Sequence, residues 1–333
     1  MANTERPKQD MGTGSVKKLM VKMAVPALVG QVVNLLYNIV DRIYIGHIPE
    51  IGGLALTGVG LFMPILMLLN AFAMLGAAGG APRAAIALGQ GRKEEAEKIL
   101  GNCGSMLLIF SALITAVFLF FAEPLLRLFG ASDATLPFAL DYMNIYSCGA
   151  VFVLLVLGLN TFLTTQGFSS FAMVTTLIGA IINIILDPIL IFGFGMGVRG
   201  AAVASVISQA VGSLWVLWFL VKGNKTILRL RLSQMKLIGS VVGPCLGLGV
   251  SGFVMMATEA FLSISFNASL QEFGGDIAVG SMTIISSCSQ LALNPIALKS
   301  ISGNKSKRPI NFSLKSLFGE MMSRKYLMMQ RSK

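Results

Sequence analysis

A carboxylate and a carboxamide lie close together inside a long apolar run of this sequence. Asn183, Asp187 and Pro188 fall within the apolar segment 171–194. Residues four apart share one face of a helix, and a proline frees a backbone carbonyl one turn earlier. An ionised Asp at the centre of a bilayer helix costs roughly 2.5–3.5 kcal/mol, so it normally faces a cavity and carries ion or proton traffic. The alternative is a buried Asp that only ties two helices together.

A polar stripe follows the first apolar segment of the chain. Its members recur at three- and four-residue steps: Gln31, Asn34, Asn38 and Asp41. This periodicity places them on one face of a helix, which we expect to line an aqueous cavity. The alternative is that Asp41 and Arg42 only neutralise each other near the membrane interface, with the arginine reaching towards the head groups.

Composition predicts the elements that carry these residues. With 55% hydrophobic residues, 12% charged residues and a mean hydropathy of +0.77, the sequence is typical of an all-α polytopic membrane protein. Eight segments are long and apolar enough to cross a bilayer. They are residues 23–45, 54–78, 99–121, 138–162, 170–194, 201–221, 238–264 and 276–297.

The basic residues predict the orientation of the spans. With the N-terminus in the cytoplasm, 23 of the 26 Lys and Arg residues fall in cytoplasmic segments, and only Arg42, Arg127 and Arg199 do not. The first apolar run is too long for a cleavable signal and is expected to remain as a span. The net charge of +11 is concentrated in these loops and in the segment after residue 298, so nucleic acid is not an expected partner.

Several kinds of catalytic and cofactor site are not expected. The cysteines stand singly in apolar spans, and His47 is the only histidine, so neither a zinc site nor a nucleophile–histidine pair is predicted. The sequence Gly247–Gly252 has the spacing of a dinucleotide-binding turn, but it lies within a predicted span and follows no strand. We therefore expect no enzyme activity, no cofactor and no structural metal. The cysteines, Cys103, Cys148, Cys245 and Cys288, are interpreted as packing residues.

The first and seventh spans are related by an internal repeat. Pro26 precedes Asp41 by fifteen residues, and Pro244 precedes Glu259 by the same number. Six spans separate the two copies, so the two halves have the same orientation, as in two-lobed transporters. Such a repeat requires twelve spans, but after Leu298 the sequence becomes basic and contains no further long apolar run.

These motifs identify a family. Over about residues 15–297 the chain resembles the multidrug and toxic compound extrusion (MATE) family of cation-coupled efflux transporters. The segments that carry the resemblance are 41–46, 166–167, 183–188, 197–205 and 258–259.

The resemblance implies a secondary active exporter of amphipathic cationic drugs that works by antiport with H⁺ or Na⁺. It places the cation-coupling site on Asp41, Asn183, Asp187 and Ser205, although relatives more often have Thr at the last position. Glu259 matches an acid that some members carry in the second lobe. Both acids and Ser205 also fall in the outer half of their predicted spans, so a single site is expected.

The resemblance also implies a domain organisation, with a complete first six-helix lobe and the first two helices of a second lobe. The predicted divisions are a cytoplasmic N-terminal tail (1–18), an N-lobe (19–222), a basic cytoplasmic loop (223–237), a partial C-lobe (238–298) and a basic tail unlike the family (299–333). Family members continue through four more helices where this tail begins. The sequence therefore suggests a transporter truncated after its eighth helix, and it leaves open whether this chain is functional or a frameshift product.

Two other functions remain open at this point. The first is a lipid-linked saccharide flippase, but its anionic cargo favours Arg or Lys within the spans, whereas the embedded charges here are acids. The second is a non-transporting remnant membrane protein. We expect a monomer in the cell inner (plasma) membrane whose partners are cationic drugs and membrane lipids. The basic loop 222–236 is predicted to contact anionic lipid.

Overall fold

The computed structural model describes residues 16–223 and 226–301, and these residues form helices and short connections without any strand. The α-helices, in chain order, are α1 (Val16–Gly46), α2 (Gly52–Leu61), α3 (Met63–Ala73), α4 (Gly80–Gly89), α5 (Lys93–Phe120), α6 (Ala122–Leu128), α7 (Leu136–Cys148), α8 (Ala150–Thr165), α9 (Ser169–Pro188), α10 (Val198–Lys222) and α11 (Gly239–Ile301). The π-helical turns Met74–Ala78 and Ile189–Gly193 extend α3 and α9.

The chain divides into two compact units, Met1–Ala292 and Leu293–Lys333. The description below concerns the first unit. The predicted tails 1–18 and 299–333 lie almost wholly outside the described residues. The predicted division into an N-lobe, a basic loop and a partial C-lobe stays a prediction.

The described helices confirm an all-α polytopic membrane protein. Six continuous helical stretches are long and apolar enough to cross a membrane, and the pair α7 and α8, bent by 58° at Gly149, makes a seventh. The second stretch runs from Gly52 to Gly89, well past the predicted end at residue 78. The difference from the eight predicted spans lies in α11, which continues through both of the last two predicted spans.

Helix α11 is too long to be one crossing. At about 1.5 Å per residue, a bilayer core is spanned by about 20 residues, and α11 has 63. Gly275 breaks it, with φ 61° and ψ −165°. Glycine adopts this backbone conformation readily because it has no Cβ, whereas other residues would be strained there.

The first part of α11 runs antiparallel to the second membrane stretch. Cys245 lies against Gly79, and Gly249, further along α11, lies against Leu75, which is earlier in the other helix. The contact is so close that a Cβ on Gly79 would collide with the backbone carbonyl of Cys245. The small residues at 76–80 therefore belong to a packed helix, where they allow two helix backbones to approach.

After Gly275, α11 runs parallel to the second membrane stretch. Thr57 hydroxyl lies 3.5 Å from the Asp276 carbonyl, and Gly60, later in α2, lies against Thr283, later in α11. The two parts of α11 thus run in opposite directions past the same helical stretch. They correspond to the predicted spans 238–264 and 276–297.

Two ends of the bundle can be distinguished by their charged residues. We call the end with Lys93 and Lys222 the basic end. The other, called the opposite end, carries the short helix α6. Arg127 on α6 pairs with Glu123 and with Asp133, each at 2.9 Å.

Helix α9 lies between α1 and α10 and packs extensively on both. The polar residues of these three helices are therefore brought together within the bundle. An aromatic cluster packs beside them. The ring centroid of Phe62, the residue between α2 and α3, lies 5.1 Å from that of Tyr142 and 5.0 Å from that of Tyr146 on α7. This packing is what positions the candidate site.

Candidate functional site

Three helices contribute the four residues proposed from the sequence as a cation site. Asp41 comes from α1, Asn183 and Asp187 come from α9, and Ser205 comes from α10. Asn183 and Asp187 are fully buried, and Asp41 and Ser205 are each 8% exposed. The structure therefore gathers four polar residues from three membrane helices.

Asn183 links the members of the group. Its Nδ2 donates to Asp187 Oδ1 at 3.2 Å and to Ser205 Oγ at 3.4 Å. The carboxyl groups of Asp41 and Asp187 lie within hydrogen-bonding reach of each other. Two carboxylates in direct contact repel when both are ionised, so this arrangement is compatible with a shared proton or a bound cation.

Three oxygens of this group have no hydrogen-bond partner among the described residues. They are Asp41 Oδ1, Asn183 Oδ1 and Asp187 Oδ2, all buried. Roughly 90% or more of buried polar groups in proteins are hydrogen-bonded, so three unpartnered oxygens at one place require an explanation. An all-oxygen donor set suits a hard cation such as Na⁺ and also suits a proton. Among the described residues, no three His, Cys, Asp or Glu side chains gather in a way that could hold a metal ion.

Arg42 does not neutralise the site by direct contact. Its guanidinium donates to Ser287 Oγ and, at 3.3 Å, to the Thr283 carbonyl, and it lies 2.7 Å from Met63 Sδ. No ion pair joins Arg42 to Asp41 in the described part of the chain. Arg42 thus links α1 to the last part of α11 and makes no ion pair with the Asp41 carboxylate in the described structure.

Two tyrosines of the site were missed by the sequence reasoning. The Tyr142 hydroxyl faces Ser205, and the Tyr37 hydroxyl lies beside the side chains of Asn38 and Gln209. A signal for Tyr142 existed, since Tyr142 and Tyr146 stand four residues apart in an apolar span. Their rings stack with centroids 5.7 Å apart.

The other residues proposed from the sequence make no hydrogen bond with these four residues in the described part of the chain. Gln31 and Asn34 are exposed, and Asn38 donates to Asn34 Oδ1 at 2.9 Å and to the Asn34 carbonyl at 2.7 Å. Their role as cavity-lining residues stays a prediction. Glu259 is exposed on the first part of α11 and has no hydrogen bond with the four site residues in the described structure. Its role as a second-lobe acid also stays a prediction.

A second buried polar cluster lies at the basic end, where the sequence indicated only a loop. Gln166 is 1% exposed, and its Oε1 accepts hydrogen bonds from Thr226 Oγ1 at 3.0 Å, Ile227 N at 3.0 Å and Leu228 N at 2.9 Å. Its Nε2 donates to the Phe162 carbonyl at 3.1 Å. Gln166 therefore fastens the basic loop to the end of α8.

Glu97 fastens the same loop to α5. Its side chain is buried, and its carboxylate lies 3.3 Å from Arg231 Nε and 3.8 Å from Lys93 Nζ. Arg229 N donates to Glu97 Oε1 at 3.4 Å. This buried acid is fully partnered, in contrast to the acids of the first cluster.

Comparison with known proteins places these observations in a family. The MatE family model matches residues 26–189, which include Asp41, Asn183 and Asp187. "Multidrug export protein MepA" of Staphylococcus haemolyticus is 26% identical over 260 residues, covering 78% of this chain and 57% of that protein. A "FAD transporter" of Shewanella oneidensis is 32% identical over 201 residues, covering 59% of this chain and 44% of that protein.

Solved structures give the same result for the fold. The structure described as "MATE multidrug transporter DinF-BH in complex with R6G" matches with a TM-score of 0.82 at 32% identity, covering 88% of this chain and 65% of that one. An "inward-facing conformation of a multidrug resistance MATE family transporter of the MOP superfamily" matches with a TM-score of 0.75 at 26% identity, covering 84% of this chain and 62% of that one. The chain spans about half to two-thirds of the length of these relatives. The matched residues, the helical architecture and these similarities lead to one conclusion: the chain belongs to the MATE family.

Proposed function

We propose that this chain provides the coupling half of a secondary active exporter of amphipathic cationic drugs, which works by antiport with H⁺ or Na⁺. The observation that carries this proposal is the contacting, buried pair Asp41 and Asp187, which has unpartnered oxygens within membrane spans. The similarity to a multidrug export protein and to a MATE structure containing R6G supports drugs as the cargo.

The site can couple ion and drug movement because its charge depends on what occupies it. In the sodium case, the carboxylates of Asp41 and Asp187 and the neutral oxygens of Asn183 and Ser205 ligate the ion. In the proton case, Asn183 and Ser205 hydrogen-bond the protonated acid. Either occupant removes repulsion between the two carboxylates, and a ligand that binds one conformation more tightly shifts the population towards it.

The experiment measures how the coupling ion affects drug binding. The purified full chain is titrated with R6G by fluorescence polarisation, at acid and alkaline pH and with Na⁺ replacing K⁺. Because linkage is reciprocal, an ion that drives export must weaken R6G binding by the same factor by which R6G weakens ion binding. Asp41→Asn and Asp187→Asn are each expected to abolish this ion dependence. Gradient-driven efflux of R6G from vesicles provides the transport measurement.

A matched control is available at the opposite end. Asp141 forms an ion pair with Arg199 at 3.0 Å and makes no hydrogen bond with the four site residues in the described structure, so Asp141→Asn is expected to keep the ion dependence. The proposal fails if R6G binds equally under all ionic conditions, or if both site variants respond to the ion as the unmodified chain does.

A second candidate cargo follows from the relative named as a FAD transporter. FAD is anionic, whereas the embedded charges of this site are acids, so we favour cationic cargo. Adding FAD as a competitor in the same titration decides between the two. Binding of FAD in preference to R6G would replace the drug with a dinucleotide as cargo.

The membrane arrangement forms part of the same proposal. We place the basic end in the cytoplasm, in the cell inner membrane, because cytoplasmic loops carry the excess of Lys and Arg. The proposed partners are cationic drugs and membrane lipids, and the proposed state is a monomer.

A further inference from the structure

A cavity of about 610 Å³ lies near the basic end, between α5, α8 and α10 and the loop segment that follows α10. Its volume falls in the range of roughly 300–1,000 Å³ that is usual for small-molecule sites. The helices give it an apolar wall formed by Gly104, Leu108, Leu155, Leu217 and Val221. The loop adds Arg229 and Arg231 to the rim. The cavity is thus apolar inside and basic at its edge.

The loop that closes the cavity is held in place by several hydrogen bonds. Leu230 N donates to the Leu220 carbonyl at 3.0 Å, and Ser105 Oγ donates to the Met235 carbonyl. Together with the anchors at Gln166 and Glu97, these bonds fix the loop as one wall of the cavity. A ligand would find this site already formed, so little conformational entropy would be lost on binding.

The charge at the rim favours an anion. Residues 222–236 contain five Lys or Arg and no acid. Arg231 is already paired with Glu97. Arg229 is exposed, and its guanidinium has no ion-pair partner within the described residues. Arg229 is therefore available for an anionic group at the mouth of the cavity.

The cavity opens towards the surface that faces lipid. Leu108 is 38% exposed and Val221 is 45% exposed, and exposed apolar side chains on a membrane span contact lipid chains. Leu232, beside the rim, is 87% exposed, as expected for a side chain that dips into the membrane boundary. Helix α10 ends at Lys222, so the arginine rim lies at the depth where lipid head groups begin.

We propose that this cavity binds one anionic phospholipid, with an acyl chain against the apolar wall and the phosphate at Arg229. A free anion would leave the apolar wall empty, and a zwitterionic lipid would offer Arg229 a phosphate whose charge is offset by the ammonium group of the same head group. The lipid would fasten α5, α8 and α10 to the basic loop. This proposal does not depend on drug export.

The two tryptophans of the chain provide an intrinsic reporter. Trp215 and Trp218 both lie on α10, on either side of Leu217. The full chain is reconstituted in vesicles that contain phosphatidylglycerol or phosphatidylcholine with brominated acyl chains, which quench nearby tryptophan. We expect phosphatidylglycerol to compete about fivefold better than phosphatidylcholine, the factor expected for one arginine beside an anionic lipid.

Arg229→Gln is expected to remove this preference. Arg92→Gln is the matched control, because Arg92 is exposed at the same end but pairs with Glu95 and does not line the cavity. The control should keep the fivefold preference. Equal quenching by the two lipids in the unmodified chain, or an unchanged preference in Arg229→Gln, overturns the proposal.

Gly104→Leu tests the apolar wall independently. A Cβ on Gly104 would lie 3.6 Å from Leu230 Cδ1 and 3.8 Å from Met235 Cε, so the backbone accepts a side chain while the rest of the leucine fills the cavity. This variant should unfold at the same temperature as the unmodified chain and lose the preference for phosphatidylglycerol. Inorganic phosphate should not displace the lipid; displacement at millimolar phosphate would make this an anion site and overturn the lipid assignment.

Discussion

Two clusters of buried polar residues in this protein differ in how completely they are hydrogen-bonded. At the basic end, Glu97 and Gln166 find partners for their polar atoms. In the proposed cation site, Asp41, Asn183 and Asp187 each keep a buried oxygen that has no partner in the part of the chain that the structure describes. Buried polar groups are stable when paired and costly when they are not. The difference indicates that the first cluster holds the structure together and that the second is arranged for an occupant.

The difference also appears in what each cluster connects. The basic-end cluster joins helix ends to a loop, and its hydrogen bonds are mostly to backbone groups, which do not change charge. The cation site joins three membrane helices through side chains that can change charge. A charge change among packed helices is a suitable trigger for a conformational transition. We therefore expect substitutions in the two clusters to affect different measurements.

The largest effect is expected from paired carboxylate substitutions. Asp187→Asn should abolish the dependence of R6G binding on H⁺ or Na⁺, and it should leave the unfolding temperature equal or higher because an unpaired buried carboxylate is removed. Glu97→Gln should lower the unfolding temperature and keep the ion dependence of R6G binding. It weakens two ion pairs and a backbone hydrogen bond, which we expect to lower the unfolding free energy by about 1–3 kcal/mol.

Thermal unfolding in detergent and R6G titration on the same preparations measure both quantities. The proposed difference between the two clusters would be wrong if Asp187→Asn destabilised the protein as much as Glu97→Gln does while leaving the ion dependence intact. In that case both carboxylates would serve only to hold helices together.

A smaller effect is expected from loss of the Gln166 anchor. Gln166→Ala leaves the buried Leu228 N–H without its acceptor, at a cost of about 1–3 kcal/mol. Because this loss is local, trypsin cleavage at Arg229 and Arg231 should become about 5 to 150 times faster through local opening. The ion dependence of R6G binding should not change.

Gln90→Ala is the control for this prediction. Gln90 is also a glutamine near the basic end, but it is exposed, and its side chain hydrogen-bonds only Arg92 in the described structure. Its loss should leave the cleavage rate as it is. Equal cleavage rates for Gln166→Ala and the unmodified chain would show that the loop is held by its other contacts.

The proximity of the four residues of the proposed cation site was easier to infer from the sequence than the basic-end cluster, for a physical reason. Asn183 and Asp187 are neighbours on one helix, and the depth of Asp41 in its span can be counted along the chain. The partners of Gln166 lie 60 to 62 residues away in a loop. Helical periodicity carries no information about such contacts, since they depend on how the chain is packed after the helices form.

The same limit explains the difference in the last two spans. The composition of 265–275 suggested a connection between two helices, whereas the chain remains helical up to a single break at Gly275. Hydropathy locates apolar segments but does not distinguish a loop from a helix that continues beyond the apolar core. The close approach at Gly79 was likewise visible only as a small-residue stretch, because the identity of the neighbouring helix depends on tertiary packing.

The smallest effect is expected from the two hydroxyls of the cation site. Ser205 Oγ accepts from Asn183 at 3.4 Å and faces the Tyr142 hydroxyl. Ser205→Ala and Tyr142→Phe each remove one neutral hydrogen-bonding group, a change of about 0.5–1.5 kcal/mol, or about 2- to 12-fold in ion affinity. Tyr146→Phe is the matched control, because Tyr146 stacks on Tyr142 and has no hydrogen bond with the site residues in the described structure.

The double variant shows how these hydroxyls act. If Tyr142 affects the ion only by orienting the Ser205 hydroxyl, the double variant will weaken the ion dependence no more than Ser205→Ala alone does. The reason is that Ser205→Ala has already removed the hydroxyl that Tyr142 would orient. If Tyr142 contacts the ion itself, the two losses will multiply, because independent effects add in free energy. Multiplying losses would make Tyr142 a fifth member of the site, and a decrease in Tyr146→Phe equal to that in Tyr142→Phe would assign both effects to the packing of the rings.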